Sequence, residues 1–96
     1  MMELLWTPEA VRDREDIYGY IEEDNPYAAL SLDDLISERT ALLQDYPRMG
    51  RLGRVPGTFE LVVHSSYMVV YEIVEIQVRI LSVVHTARQW PPLQNK

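Results

Sequence analysis

The chain contains no cysteine, only two histidines, and no apolar run that approaches the roughly 18 residues needed to span a bilayer. Without cysteine there is neither a disulfide framework nor thiolate chemistry, so the fold must rest on a packed core, and the composition fits a reducing compartment. The histidines, His64 and His85, stand far apart with no H-x-x-x-H pattern, which gives no zinc signature. Neither the G-x-x-x-x-G-K-[ST] phosphate loop nor the G-x-S-x-G nucleophile turn occurs. Ser65-Ser66 lie beside His64 without an evident carboxylate partner. The acidic side chains fall on helix faces rather than in an apolar pocket, so a glycosidase-type carboxylate pair is equally unsupported. Met1-Met2-Glu3 lacks the basic segment of a secretory leader. The expectation is a soluble, cytoplasmic protein that needs no metal or cofactor and has no membrane partner.

What is present is a core-forming composition in a short chain. Ninety-six residues with 47% hydrophobic side chains make one domain, expected over residues 1–90, followed by a short tail at 91–96 that Pro91 and Pro92 keep out of any sheet. The net charge of −6 hides a strong asymmetry. Residues 1–47 hold twelve acidic groups against Arg12, Arg14 and Arg39; residues 48–96 hold three against five arginines and Lys96. A field of that kind acts on partners and association rates rather than on the fold, although an acidic helix face that merely keeps the chain in solution is an equally simple account.

Glu3 to Trp6 reads as a short strand closed by Thr7-Pro8-Glu9, where a capping hydroxyl, a proline at the first helical position and an acid in the first turn predict a helix start. Ala10, Val11, Ile17, Tyr18 and Ile21 form its apolar stripe, interrupted by Arg14. Asn25-Pro26 repeats the device and opens a second helix striped by Ala28, Ala29, Leu32, Leu35, Ile36, Leu42 and Leu43, so residues 8–45 read as a helical hairpin. Residues 48–58, rich in glycine and arginine, form a loop. Three strands follow: Phe59–Val63, Tyr67–Ile73 and Gln77–His85, the last pair joined by a turn near Val74-Glu75-Ile76 that lacks Gly, Asn or Asp. The run from Ile80 to Trp90 looks like a central strand that delivers polar groups to one end of the sheet.

Those groups are the chemical candidates. His85 has the acid–base range for proton transfer, and Arg88, three residues on, can hold a phosphate; a structural histidine is the plain alternative. Arg48, Arg51 and Arg54 recur every third position in the loop and suit an anion or phosphate contact, or simply a solvated basic loop. Tyr71 either packs in the core or orients a target group, and Trp90 is read as a core or sheet-edge anchor rather than a base-stacking platform.

The segments W-T-P-E-A, Y-I-E-E-D-N-P-Y-A-A (Tyr20–Ala29), G-R-L-G-R-V-P-G-T-F-E-L-V-V (Gly50–Val63), Y-M-V-V-Y-E-I (Tyr67–Ile73) and H-T-A-R-Q-W-P (His85–Pro91) together resemble the RelE/ParE superfamily of toxins from type II toxin–antitoxin, or plasmid-stabilisation, modules. They cover nearly the whole chain in collinear order. The resemblance implies an α+β fold: an N-terminal strand, a two-helix hairpin and a three-stranded antiparallel meander, with the helices packed on one face of a twisted sheet. It also implies growth arrest, a cognate antitoxin partner and one of two targets. ParE-like members inhibit DNA gyrase, and RelE-like members cut messenger RNA on the ribosome as metal-independent endoribonucleases. In the second case His85, Arg88 and Arg54 would be catalytic; Arg51 and Tyr71 are the expected phosphate or target contacts in either. The position after Tyr67, where such a nuclease carries a catalytic arginine, is Met68, and no lysine precedes Lys96. Together with the acidic charge these departures favour gyrase. For the antitoxin the expected surface is Glu22, Glu23, Asp33, Asp34 and Glu38, facing a basic partner, unless acidic groups of the antitoxin cover Arg51, Arg54 and Arg88 instead.

Overall fold

A computed structural model describes residues 1–87 together with Trp90 and Pro91. Strand β1 (Glu3–Trp6) leads into helix α1 (Pro8–Glu22) and helix α2 (Pro26–Ala41), which ends in a 3-10 turn at Leu42–Gln44. Strands β2 (Arg51–Leu52), β3 (Phe59–His64), β4 (Tyr67–Val74) and β5 (Gln77–His85) complete the chain. They form one five-stranded sheet in the order β1-β5-β4-β3-β2. β1 runs parallel to β5, and the other pairs are antiparallel. The expected loop at 48–58 therefore contains a two-residue edge strand, too short to show a period in the sequence.

The helix starts form where their caps predict. The Thr7 hydroxyl accepts the Ala10 amide at 3.2 Å and also donates to the Ile80 carbonyl at 2.9 Å, so one side chain caps α1 and ties it to β5. Asn25 accepts the Ala28 amide at 3.1 Å and turns the chain into α2. Arg14, the break in the apolar stripe, joins the helices: its Nε donates to Asp33 Oδ1 at 2.6 Å and its guanidinium lies 4.9 Å from the centre of the Trp6 ring. Ala10, Leu32, Ile36 and Leu43 reach the core, whereas Val11, Ala28 and Leu42, expected on the same stripes, are exposed.

The core lies between the hairpin and the sheet and includes Leu61, Val63, Val69, Tyr71, Val78, Ile80 and Val83. Its β5 members break the two-residue period between Ile80 and Val83. The register explains this: Tyr71 pairs with Ile80 and Val70 with Ser82, which leaves Leu81 as an extra, bulged residue. Asp13 of α1 stabilises the bulge, accepting the Ser82 hydroxyl at 2.7 Å and the Val83 amide at 3.0 Å. Beyond the bulge the faces of β5 exchange, and His85 comes to share the helix-covered side with Tyr67. Among the described residues no helix is long and apolar enough to cross a membrane.

Candidate functional site

The arginines of the loop meet at a buried carboxylate. Glu60 pairs with Arg51 across β2–β3 and with Val70 across β3–β4, on the sheet face away from the helices, and is only 2% exposed. Its Oε1 accepts Arg51 Nε at 3.2 Å; its Oε2 accepts the Arg54 backbone amide at 3.2 Å and lies 3.5 Å from Arg54 Nε. Arg51 also reaches Met68 Sδ at 4.0 Å. A carboxylate so placed is held by its hydrogen bonds, and in turn it fixes both guanidinium groups and folds the loop back on the sheet. Glu60 escaped the sequence reading. It was the one carboxylate inside the first strand of the meander, six residues after Arg54, and that isolation was its signal.

Tyr71 meets a geometry other than target contact. It is fully buried on the helix side, stacked on Phe59 at 5.3 Å, and its hydroxyl donates to the Pro47 carbonyl at 2.7 Å while accepting the Gly50 amide at 3.0 Å. Burial raises its pKa, against smaller lowering effects of the Gly50 amide and the Arg48 charge. The phenol is a clasp that holds residues 47–50 against the sheet. Gly50 permits the approach, since a Cβ there would lie 2.8 Å from both the Glu60 carbonyl oxygen and the Tyr71 hydroxyl.

His85 stands at the opposite end of the sheet. Its ring meets Tyr67 edge-on at 5.1 Å, and its Nδ1 accepts the Ala87 amide at 3.0 Å. His64 flanks the other side of Tyr67 at 6.4 Å, with Nδ1 accepting the Ser66 amide at 3.0 Å. His85 is thus three β4 residues away from the Glu60 level and on the other face. Of the expected catalytic set, His85 and Arg54 are not brought together, and Arg88 lies outside the described residues. Trp90 is half-buried.

The acidic hairpin presents a third surface. Glu22, Glu23, Asp34 and Glu38 are exposed, while Asp33 is half-buried in its bridge to Arg14. Trp6, Val11, Arg14, Glu15, Tyr18 and Glu22 line a groove of about 550 Å³ along α1.

The model of the ParE toxin of type II toxin–antitoxin systems, parDE, matches residues 4–90. The chain belongs to the ParE toxin family. It is 40% identical over 87 residues to Y4kP of Sinorhizobium fredii, named as a toxin, a match that covers 90% of each chain. Toxin RelE2 of Caulobacter vibrioides is 32% identical over 88 residues, covering 92% of this chain and 99% of that one. Among solved structures, the chromosomal ParDE toxin–antitoxin system of P. aeruginosa superposes with a TM-score of 0.80 at 27% identity, over 88% of this chain and 96% of that chain. This ParE-family toxin therefore has the α+β architecture expected of it, and it is the toxin component of a type II system. The relatives carry both ParE and RelE names, so membership alone leaves the target open.

Proposed function

We propose that this ParE-family toxin arrests growth as a non-catalytic inhibitor of DNA gyrase, acts in the cytoplasm, and is silenced by a cognate antitoxin. One observation carries the choice of target: His85 and Arg54 lie on opposite faces of the sheet, and Arg54 is already committed to Glu60. General acid–base chemistry on RNA needs its groups within hydrogen-bond reach of one scissile phosphate. Met68 at the position after Tyr67 and the net charge of −6, awkward for a ribosome binder, support the same reading. The antitoxin is assigned to the acidic hairpin, where Glu22, Glu23, Asp34 and Glu38 suit basic side chains and the groove beside Trp6 and Tyr18 suits an apolar one. The neighbouring structure named as a ParDE toxin–antitoxin system supports a cognate antitoxin as partner.

The RelE name of the Caulobacter relative favours a second reading, ribosome-dependent cleavage of messenger RNA, with His85, Arg88 and Arg54 acting on the phosphate. A His85→Ala variant separates the two. A gyrase inhibitor keeps its growth arrest and its inhibition of plasmid supercoiling. A nuclease loses about 10²-fold or more in rate, the usual cost of removing a general acid or base. Arrest abolished by His85→Ala, with new cleavages inside translated messages in the unsubstituted toxin, would overturn the gyrase reading.

A further inference from the structure

Residues 46–52 expose more apolar surface than a connection between elements requires. Tyr46 is 63% exposed, Met49 38% and Leu52 82%. Tyr46, Pro47, Arg48 and Met49 line an open, apolar depression of about 550 Å³. Leu52 extends the surface onto β2, where it pairs with Phe59, and the Arg48 guanidinium lies 5.7 Å from the Phe59 ring centre. Single exposed apolar side chains are ordinary, but tyrosine, methionine and arginine lining one depression have the composition of an interface centre.

The segment is also held in place. Tyr71 clamps Pro47 and Gly50, and Glu60 anchors Arg51 and the Arg54 backbone. Both anchors are buried side chains whose polar atoms act only on this loop, so the apolar groups are displayed from a rigid base. Ordering cost is thereby removed before any partner arrives. The rim is cationic: Arg48 is exposed and the Arg51 side chain remains 60% exposed despite its bond to Glu60. Asp45 and Glu60 offset two of the three arginines here, which leaves one net positive charge, and Arg48 is the arginine not bonded to Glu60. This β2 corner is the basic end of a chain whose α1–α2 hairpin is acidic.

We infer that the β2 corner is the surface by which the toxin engages its target. It takes a protein surface that presents a bulky apolar side chain beside a carboxylate: the apolar group enters the Tyr46–Met49 depression, and the carboxylate meets Arg48, which lines that depression. The opposite charge of the hairpin separates this surface from the one assigned to the antitoxin. The inference rests on the reading of the protein as a non-catalytic binder.

The test compares three purified full-length variants with the unsubstituted toxin: Tyr46→Ala/Met49→Ala/Leu52→Ser, the charge reversal Arg48→Glu, and the hairpin control Tyr20→Ala/Tyr27→Ala. Each is assayed for inhibition of gyrase supercoiling on relaxed plasmid, for growth arrest on expression and for thermal unfolding. Tyr20, Tyr27, Tyr46 and Leu52 are each more than half exposed, Met49 and Arg48 are exposed as well, and Arg48→Glu leaves the apolar patch in place, so a folding defect in one variant does not decide the result. Both β2-corner variants are expected to lose about tenfold or more in inhibitory potency, the range of interface anchor residues, with unfolding unchanged and the hairpin control intact. Undiminished inhibition by both corner variants, or its loss in the hairpin control alone, overturns the assignment while the gyrase reading stands. If the unsubstituted toxin does not inhibit gyrase, that reading fails by itself. The corner is then judged by growth arrest: arrest lost in folded corner variants upholds it, and arrest retained overturns it.

Discussion

Replacing Tyr71 with phenylalanine removes one hydroxyl and leaves the ring in its stack on Phe59 at 5.3 Å, so no cavity complicates the outcome. Two backbone groups lose their partner: the Pro47 carbonyl, 2.7 Å away, and the Gly50 amide, 3.0 Å away. A net hydrogen bond contributes about 0.5–1.5 kcal/mol, and stranding a buried polar group costs about 1–3 kcal/mol, so the loss should be about 2–3 kcal/mol. For a domain of this size that corresponds to roughly 10–20 °C in Tm. The same substitution tests the raised pKa of the phenol. Above about pH 10 the unfolded tyrosine gives up its proton while the folded one keeps it; the unfolded state then binds fewer protons and stability falls as pH rises. Below that range both states are protonated and Tyr71 contributes no slope. Urea unfolding at neutral pH and at a series of alkaline pH values reads both effects, and Tyr71→Phe should lack this residue's share of the alkaline decline. A loss under about 0.5 kcal/mol at neutral pH would mean that the loop finds other partners, and the clasp would be refuted.

Two further substitutions probe the backbone around this framework. Gly50→Ala brings a Cβ to 2.8 Å from the Glu60 carbonyl oxygen and the Tyr71 hydroxyl, and because one of these is sheet backbone the strain should cost roughly 1–3 kcal/mol in urea unfolding; an unchanged midpoint would contradict the close packing. Glu75 occupies φ 55° in the two-residue β4–β5 turn, so Glu75→Gly should stabilise by about 0.5 kcal/mol, the left-handed penalty relieved less the entropy of glycine, whereas Ile76→Gly should destabilise.

The helical hairpin was legible because its signals are local. Thr7-Pro8 and Asn25-Pro26 each place a capping side chain before a proline, and each cap makes the bond its chemistry predicts. The β4–β5 turn was not signed, because a glutamate rather than glycine or asparagine takes the positive φ. The site was harder to read for a different reason: spacing along the chain cannot show a change of face. Alternation from Ile80 would send His85 to the side away from the helices, where Arg51 and Glu60 lie. Leu81 is bulged, Asp13 of a different element holds the bulge, and His85 arrives beside Tyr67 instead. The acid–base candidate and the phosphate-binding candidates are therefore parted by one extra residue in one strand. The same holds for the arginines, whose availability depends on Glu60: its isolation in an apolar strand marks it, but its pairing with Arg51 is a matter of register. Which candidate groups meet on this scaffold is thus a matter of register, carried by long-range pairs that a local pattern does not contain.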